Sequence, residues 1–132
     1  MAIRIVRLGT PRAKGEGPRL GTVRRPPRGV PKQDYAKRDY YDVWLPALSP
    51  SSGLVAEAQQ AASDDDERGW TRFVKRFRVE MKQPDASHLL DTLAVLSHGA
   101  DFALGCYCPE ERRCHRSVLR ALLQERGAAI VD

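Results

Sequence analysis

The clearest periodicity in the chain is Trp70, Phe73, Val74, Phe77 and Met81, apolar residues at i, i+3, i+4, i+7 and i+11 with Lys75, Arg76 and Arg78 on the other faces. That spacing predicts an amphipathic helix whose stripe faces a core rather than a ligand. The acidic run Asp64–Glu67 leads into it, where negative charge suits the positive end of the helix dipole. Pro84–His98 predicts another helix, with Leu89, Leu90, Leu93 and Leu96 inward and Gly99 at its C-terminal cap. A last helix from Arg113 carries Val118, Leu119, Leu122 and Leu123 and stops at Gly127. Ser51 or Ser52 can cap a further helix bearing Leu54, Val55 and Ala58. Short β-branched or apolar runs predict strands at Ile3–Leu8, Leu20–Arg24, Phe102–Cys106 and, last and weakest, Ala128–Val131. Pro26-Pro27 stops the second strand, since proline cannot donate to a ladder. Tyr40–Ser52 reads as irregular and aromatic-rich.

This order predicts one compact α/β domain over residues 1–132, a mostly parallel sheet with helices packed on it. The gap between the first two strands is about ten residues, short for a helical crossover, so parallel and antiparallel pairings both stay open. The length fits one domain. No apolar run is long enough to span a bilayer and the start lacks a signal-peptide core, so the expectation is a cytoplasmic protein with no membrane partner. The residues specify no oligomeric state.

Charge is unevenly placed. Residues 1–40 hold eleven Lys or Arg against three Asp or Glu, so the remainder of the chain is net acidic despite an overall charge of +5. A basic N-terminal portion containing strands raises the prospect of a phosphate-bearing small molecule or a nucleic acid as partner; a solvated basic surface is the plain alternative. All three cysteines fall within nine residues, which suggests site chemistry rather than disulfide stapling.

Those cysteines lie in Gly105-Cys-Tyr-Cys-Pro-Glu-Glu-Arg-Arg-Cys-His-Arg-Ser117, within a strand-turn-helix unit over residues 100–126. Such a turn gathers unpaired N–H groups and the positive end of a helix dipole, so it binds anions readily and lowers a thiol's pKa. Arg112, Arg113 and Arg116 add fixed positive charge. Cys106 and Cys108 share a face if the strand continues through them. Cys114 is expected in the first helical turn, with His115 about 100° around from it on the face of Leu119 and Leu122. A histidine on an apolar face is commonly a hydrogen-bonded core residue.

Four readings compete for the cluster. Cys106, Cys108, Cys114 and His115 supply zinc-binding atoms, but the spacing differs from the common knuckles, and adjacent Cys114 and His115 would have to converge from diverging directions. No bound metal and no other cofactor is therefore expected. Cys106 and Arg112 satisfy a phosphatase-like Cys-x5-Arg, yet the loop has no interior glycine and Pro109 removes a donor. An anion pocket with the cysteines packed or nucleophilic is the third reading. Buried thiols acting as small hydrophobes are the fourth.

Cys106 followed by Cys114-His115-Arg116 at a helix start resembles the C-terminal signature of the domain of unknown function 488 family, a Cys-Ala-Glu, a short acidic stretch, then Cys-His-Arg. Gly21-Thr-Val-Arg-Arg-Pro-Pro-Arg-Gly29, Trp44, Pro50-Ser51, Leu54 and Trp70…Phe73…Glu80-Met81 look like its YeaO-like branch. The likeness runs from Ile3 to Leu123. It implies an α/β fold with the Arg-Pro-Pro-Arg loop near the Cys-His-Arg turn. Cys108 stands where that family often has Glu, and Arg24 where the branch has Asp, so Cys108 is the residue to watch.

The combined expectation is one basic, thiol-containing anion-binding pocket acting on a phosphate-bearing or nucleotide-like substrate. Arg24, Arg25, Arg28, Arg112, Arg116 and Ser117 are its anion contacts. Cys106 is the nucleophile, His115 orients or deprotonates it, and Cys108 and Cys114 are further thiols. Whether the chain is an enzyme stays open. The rival class is a non-catalytic nucleic-acid-binding module with structural cysteines, in which Tyr35, Tyr40 and Tyr41 could stack on bases.

Overall fold

The computed structural model describes residues 1–131. Strands β1 (Ile3–Arg7), β2 (Arg19–Gly21), β3 (Val43–Trp44) and β4 (Phe102–Cys106) form one sheet in the order β1-β4-β2-β3, every pairing parallel. Helices α1 (Ser52–Ser63), α2 (Glu67–Glu80), α3 (Pro84–Leu96) and α4 (His115–Glu125) complete the α/β fold that the hydrophobic pattern predicts.

The first two strands are parallel, and β4 lies between them. The connection 8–18 therefore crosses from the end of β1 to the start of β2 without a helix. Arg19 makes that crossing possible. Its side chain is 1% exposed, and all five of its N–H donors are used. Nε donates to Glu16 Oε2 (2.6 Å), Nη2 to Glu16 Oε1 (3.3 Å) and Pro11 O (3.2 Å), and Nη1 to Thr10 O (2.8 Å) and Asp39 O (2.5 Å). One guanidinium thus pins the crossover to the turn that leads into Tyr40 and Tyr41.

Alternation along the strands sorts the two faces. Ile3, Ile5, Leu20, Phe102 and Leu104 meet the helices in one core with Leu54, Phe73, Phe77, Leu90, Leu93, Leu119 and Leu123. The other face carries Gly21, Ala103 and Gly105, small enough for direct covering by loop residues. A Cβ added at Gly105 would lie 2.4 Å from Leu8 Cδ2, and one at Gly21 would lie 2.4 Å from Tyr41 Cδ2. The stripe of α2 is core as predicted, with Phe73, Phe77 and Met81 buried and Trp70 and Val74 packed beside them.

Some local expectations are corrected. Leu96 is exposed with Val95, and Ala94 takes the inward place, because the buried face of the helix runs Leu90, Leu93, Ala94 and Ser97 at i, i+3, i+4 and i+7. Ser97, not Gly99, is the C-cap, and Gly99 lacks a left-handed backbone. Ala128–Val131 forms a single parallel bridge, Ile3 to Ile130, rather than a strand. The segment read as irregular contains β3, whose two residues are too few to show alternation.

Candidate functional site

Cys106 ends the central strand, and Cys114 is the N-cap of α4. The site thus forms at the carboxyl edge of a parallel sheet, where α/β proteins place their ligands. Leu8, Val23, Tyr41, Cys106 and Cys114 make a second, smaller core there, with Val6, Tyr35, Tyr40, Tyr107 and Cys108 packed against it.

The expectation that Cys114 and His115 diverge is corrected. Cys114 is not in the first helical turn; its backbone is extended (φ −124°, ψ 150°), and His115 is the first helical residue. The change of backbone direction between them swings both side chains to one side, so Cys114 Sγ lies 3.8 Å from His115 Nδ1. Cys106 Sγ lies 3.9 Å from Cys108 Sγ. Cys106, Cys114 and His115 bring one donor atom each within 4.8 Å of one another.

His115 is buried and oriented from two directions. Nε2 lies 2.5 Å from the Thr22 carbonyl and 3.2 Å from Thr22 Oγ1, and Phe77 meets the ring edge-on at 5.7 Å. A carbonyl only accepts, so Nε2 carries the proton and the Nδ1 lone pair faces Cys114. The Thr22 hydroxyl is itself fixed by donating to Gly105 O at 2.9 Å. His115 is therefore both a hydrogen-bonded core residue and the partner of a thiol.

Arg116, 3% exposed, donates from Nε to Cys114 Sγ (3.4 Å) and from Nη2 to Cys108 O (2.7 Å). Hydrogen bonds from the Cys106 and Cys108 thiols outweigh burial and, with His115, hold Cys114 far below the ordinary thiol range. Donating to Cys108 and Cys114, and buried besides, Cys106 is pushed well above it. Cys108 is eased by its bond from Cys106 but is pushed up to about 11 by Cys114 and by burial. Negative charge in the cluster therefore belongs on Cys114, next to Arg116 and the positive end of α4.

The remaining residues singled out from sequence divide clearly. Ser117 Oγ donates to Cys114 O at 2.9 Å, closing the first turn of α4. Arg24 reaches away, from Nε to Pro50 O (3.0 Å) and from Nη2 to Ser49 O (3.0 Å). Arg25 and Arg28 are exposed in the loop after β2. Tyr107 Oη donates to Arg25 O at 2.9 Å, which ties that loop to the thiol turn. Arg112 is exposed at the turn, whereas Arg113 lies over Trp70 and pairs with Glu67 and Asp65. Trp44, half-exposed, donates from its indole to Val23 O.

One residue had no signal in its own sequence surroundings, and another takes a place at the site that its sequence surroundings did not specify. Arg7 pairs in register with Cys106 and donates to Tyr107 O at 3.3 Å, a position visible only once β1 is known to run parallel beside β4. Tyr41 is 4% exposed, and its hydroxyl has no hydrogen-bond partner among the described residues.

The fold and site define an α/β domain with a buried thiol–imidazole–guanidinium cluster at the end of its central strand. A family model described as the active DUF488-N3 subclade matches residues 3–127, and the chain belongs to this family of domains of unknown function. No curated protein and no solved structure matches it. Among the described residues, no helix is long and apolar enough to cross a membrane.

Proposed function

We propose that the chain is a thiol enzyme with an anion-binding rim, acting on a phosphate-bearing or nucleotide-like substrate. One observation carries this reading: Arg116, 3% exposed and set against Cys114 Sγ, has no carboxylate partner among the described residues, whereas the other buried arginine, Arg19, pairs with Glu16. Arg12, Arg19, Arg76, Arg78, Arg113 and Arg126 all pair with acids. Arg25, Arg28, Arg112 and Arg116 have no ion pair among the described residues, nor do Arg7 and Arg24, which hold carbonyls instead. Unneutralised guanidiniums around one sheet edge favour an anion.

Cys114 is the reacting thiol in this reading, in place of Cys106. Its proton passes to His115 Nδ1, giving an imidazolium held by Thr22 O and a thiolate held by Arg116 Nε. Arg25, Arg28 and Arg112 gather the phosphate. The Tyr41 hydroxyl supplies a buried donor that the free protein leaves unused. The description of the matching family as active agrees with a working site.

Calorimetric titration of the reduced, metal-free protein with a nucleoside monophosphate and with a short single-stranded oligonucleotide tests this. The mononucleotide should bind, and Arg112→Gln with Arg116→Gln should weaken it about 10-fold or more, each good contact being worth about 1–3 kcal/mol. Oligonucleotide binding with a steep salt dependence, and no mononucleotide binding, would support the rival nucleic-acid-binding module instead.

A further inference from the structure

We infer that Cys106, Cys114 and His115 form a binding site for one thiophilic divalent cation of the zinc type, with Cys108 on its open side. Tetrahedral zinc has metal–sulfur bonds of about 2.3 Å and metal–nitrogen bonds of about 2.0 Å, so its donor atoms lie roughly 3.5–3.8 Å apart. The cluster is close to that size. Cys114 Sγ and His115 Nδ1 are 3.8 Å apart, Cys106 Sγ and Cys108 Sγ 3.9 Å, and all three core donors fall within 4.8 Å. Drawing all three donors onto one ion shortens the widest separation by up to about 1 Å.

The surroundings match what a metal requires. Ligating histidines usually donate their second ring N–H to a carbonyl or carboxylate, which fixes the tautomer. His115 does this at Thr22 O, 2.5 Å away, and presents the bare Nδ1 to the thiols. Arg116 Nε lies 3.4 Å from Cys114 Sγ, and Nη2 holds the Cys108 carbonyl at 2.7 Å. The charges also balance: the two core thiolates neutralise a divalent ion, and if Cys108 binds as a third thiolate the sum of −1 is cancelled by the buried guanidinium. Cys106 sits on a strand and His115 on a helix, so the site is preorganised rather than gathered from a loose loop. A merely space-filling group of thiols has no use for a fixed histidine tautomer or for a guanidinium placed against sulfur.

This site goes beyond the anion reading and does not depend on it. A bound cation takes the electron pair that Cys114 would use as a nucleophile, so metal-loaded and reactive forms exclude one another, while the arginine rim stays in place.

Cobalt(II) titration of the reduced full-length protein is the test. One equivalent should produce the intense sulfur-to-cobalt charge-transfer absorption in the near ultraviolet together with tetrahedral d–d bands, and one equivalent of zinc should abolish both. Cys114→Ser and Cys106→Ser should each lower affinity by about 100-fold or more, and Arg116→Met by about 10-fold. Cys108→Ser should keep the one-to-one stoichiometry with a weaker charge-transfer band. The wild-type spectrum needs no variant to fold. Absent charge-transfer absorption at equimolar cobalt, weak octahedral bands, or binding that survives Cys114→Ser would each overturn the inference, and the anion titration above would stand regardless.

Discussion

Replacing Arg19 with methionine should unlock the covering of the thiol cluster, and the structure fixes the size of the effect. Arg19 is 1% exposed and its partner Glu16 2%, so the substitution strands a buried carboxylate. It also leaves the carbonyls of Thr10, Pro11 and Asp39 without that donor. Removing one member of a buried ion pair costs about 3–5 kcal/mol, against roughly 5–15 kcal/mol for a whole domain. At about 2 kcal/mol per molar urea, the unfolding midpoint should fall by about 1.5–2.5 M. The effect also carries a pH signature. Burial alone would raise the Glu16 pKa, but the Arg19 bond, the Ala13 N–H and the charges of Arg19 and Arg12 together hold it below its ordinary value. A depressed folded pKa gives stability that is present above the unfolded value, near 4.3, and lost as pH falls through the folded one. Without the guanidinium, burial dominates and the folded pKa lies above the unfolded one. The variant should then gain stability on acidification, and its gap from wild type should narrow between pH 7 and pH 4. Urea curves at the two pH values, with a thiol-reactive chromophore reporting cysteine exposure, read both effects. A midpoint shift below about 0.5 M, or a gap unchanged with pH, would refute the reasoning.

Tyr41→Phe should stabilise the free protein by about 1 kcal/mol, since it removes a buried hydroxyl that lacks a partner. Calorimetry should show a melting temperature about 4 °C higher, together with weaker mononucleotide binding; a destabilised variant would contradict the assignment. Phe77→Ala should cost about 3–5 kcal/mol and loosen His115, whose ring it meets edge-on, detectable as a changed imidazole proton spectrum. An unchanged spectrum would remove Phe77 from the positioning of His115.

The elements were legible where one period held long enough. The α2 stripe runs over three turns and shows its face at once, while the two-residue β3 has no period to read. The turn at Cys106–Ser117 could be located because charge, thiols and a helix start coincide in the sequence. Its internal geometry could not, because it hinges on one dihedral pair. With Cys114 as an extended N-cap instead of a helical residue, its side chain and that of His115 converge. Arg7 and Tyr41 reach the site only through the parallel register and the close approach to Gly21, both long-range consequences of the fold. Arg24 looked equivalent to Arg25, yet loop curvature turns it to Ser49 and Pro50.

Amide chemical shifts followed while a nucleoside monophosphate is added to the reduced, metal-free protein test the central claim most directly. Saturable shifts should be confined to residues 22–28 and 107–117, with Arg7 and Tyr41 included and the outward faces of α2 and α3 unmoved. Shifts centred elsewhere, or none at millimolar ligand, would contradict an anion site at the end of the central strand.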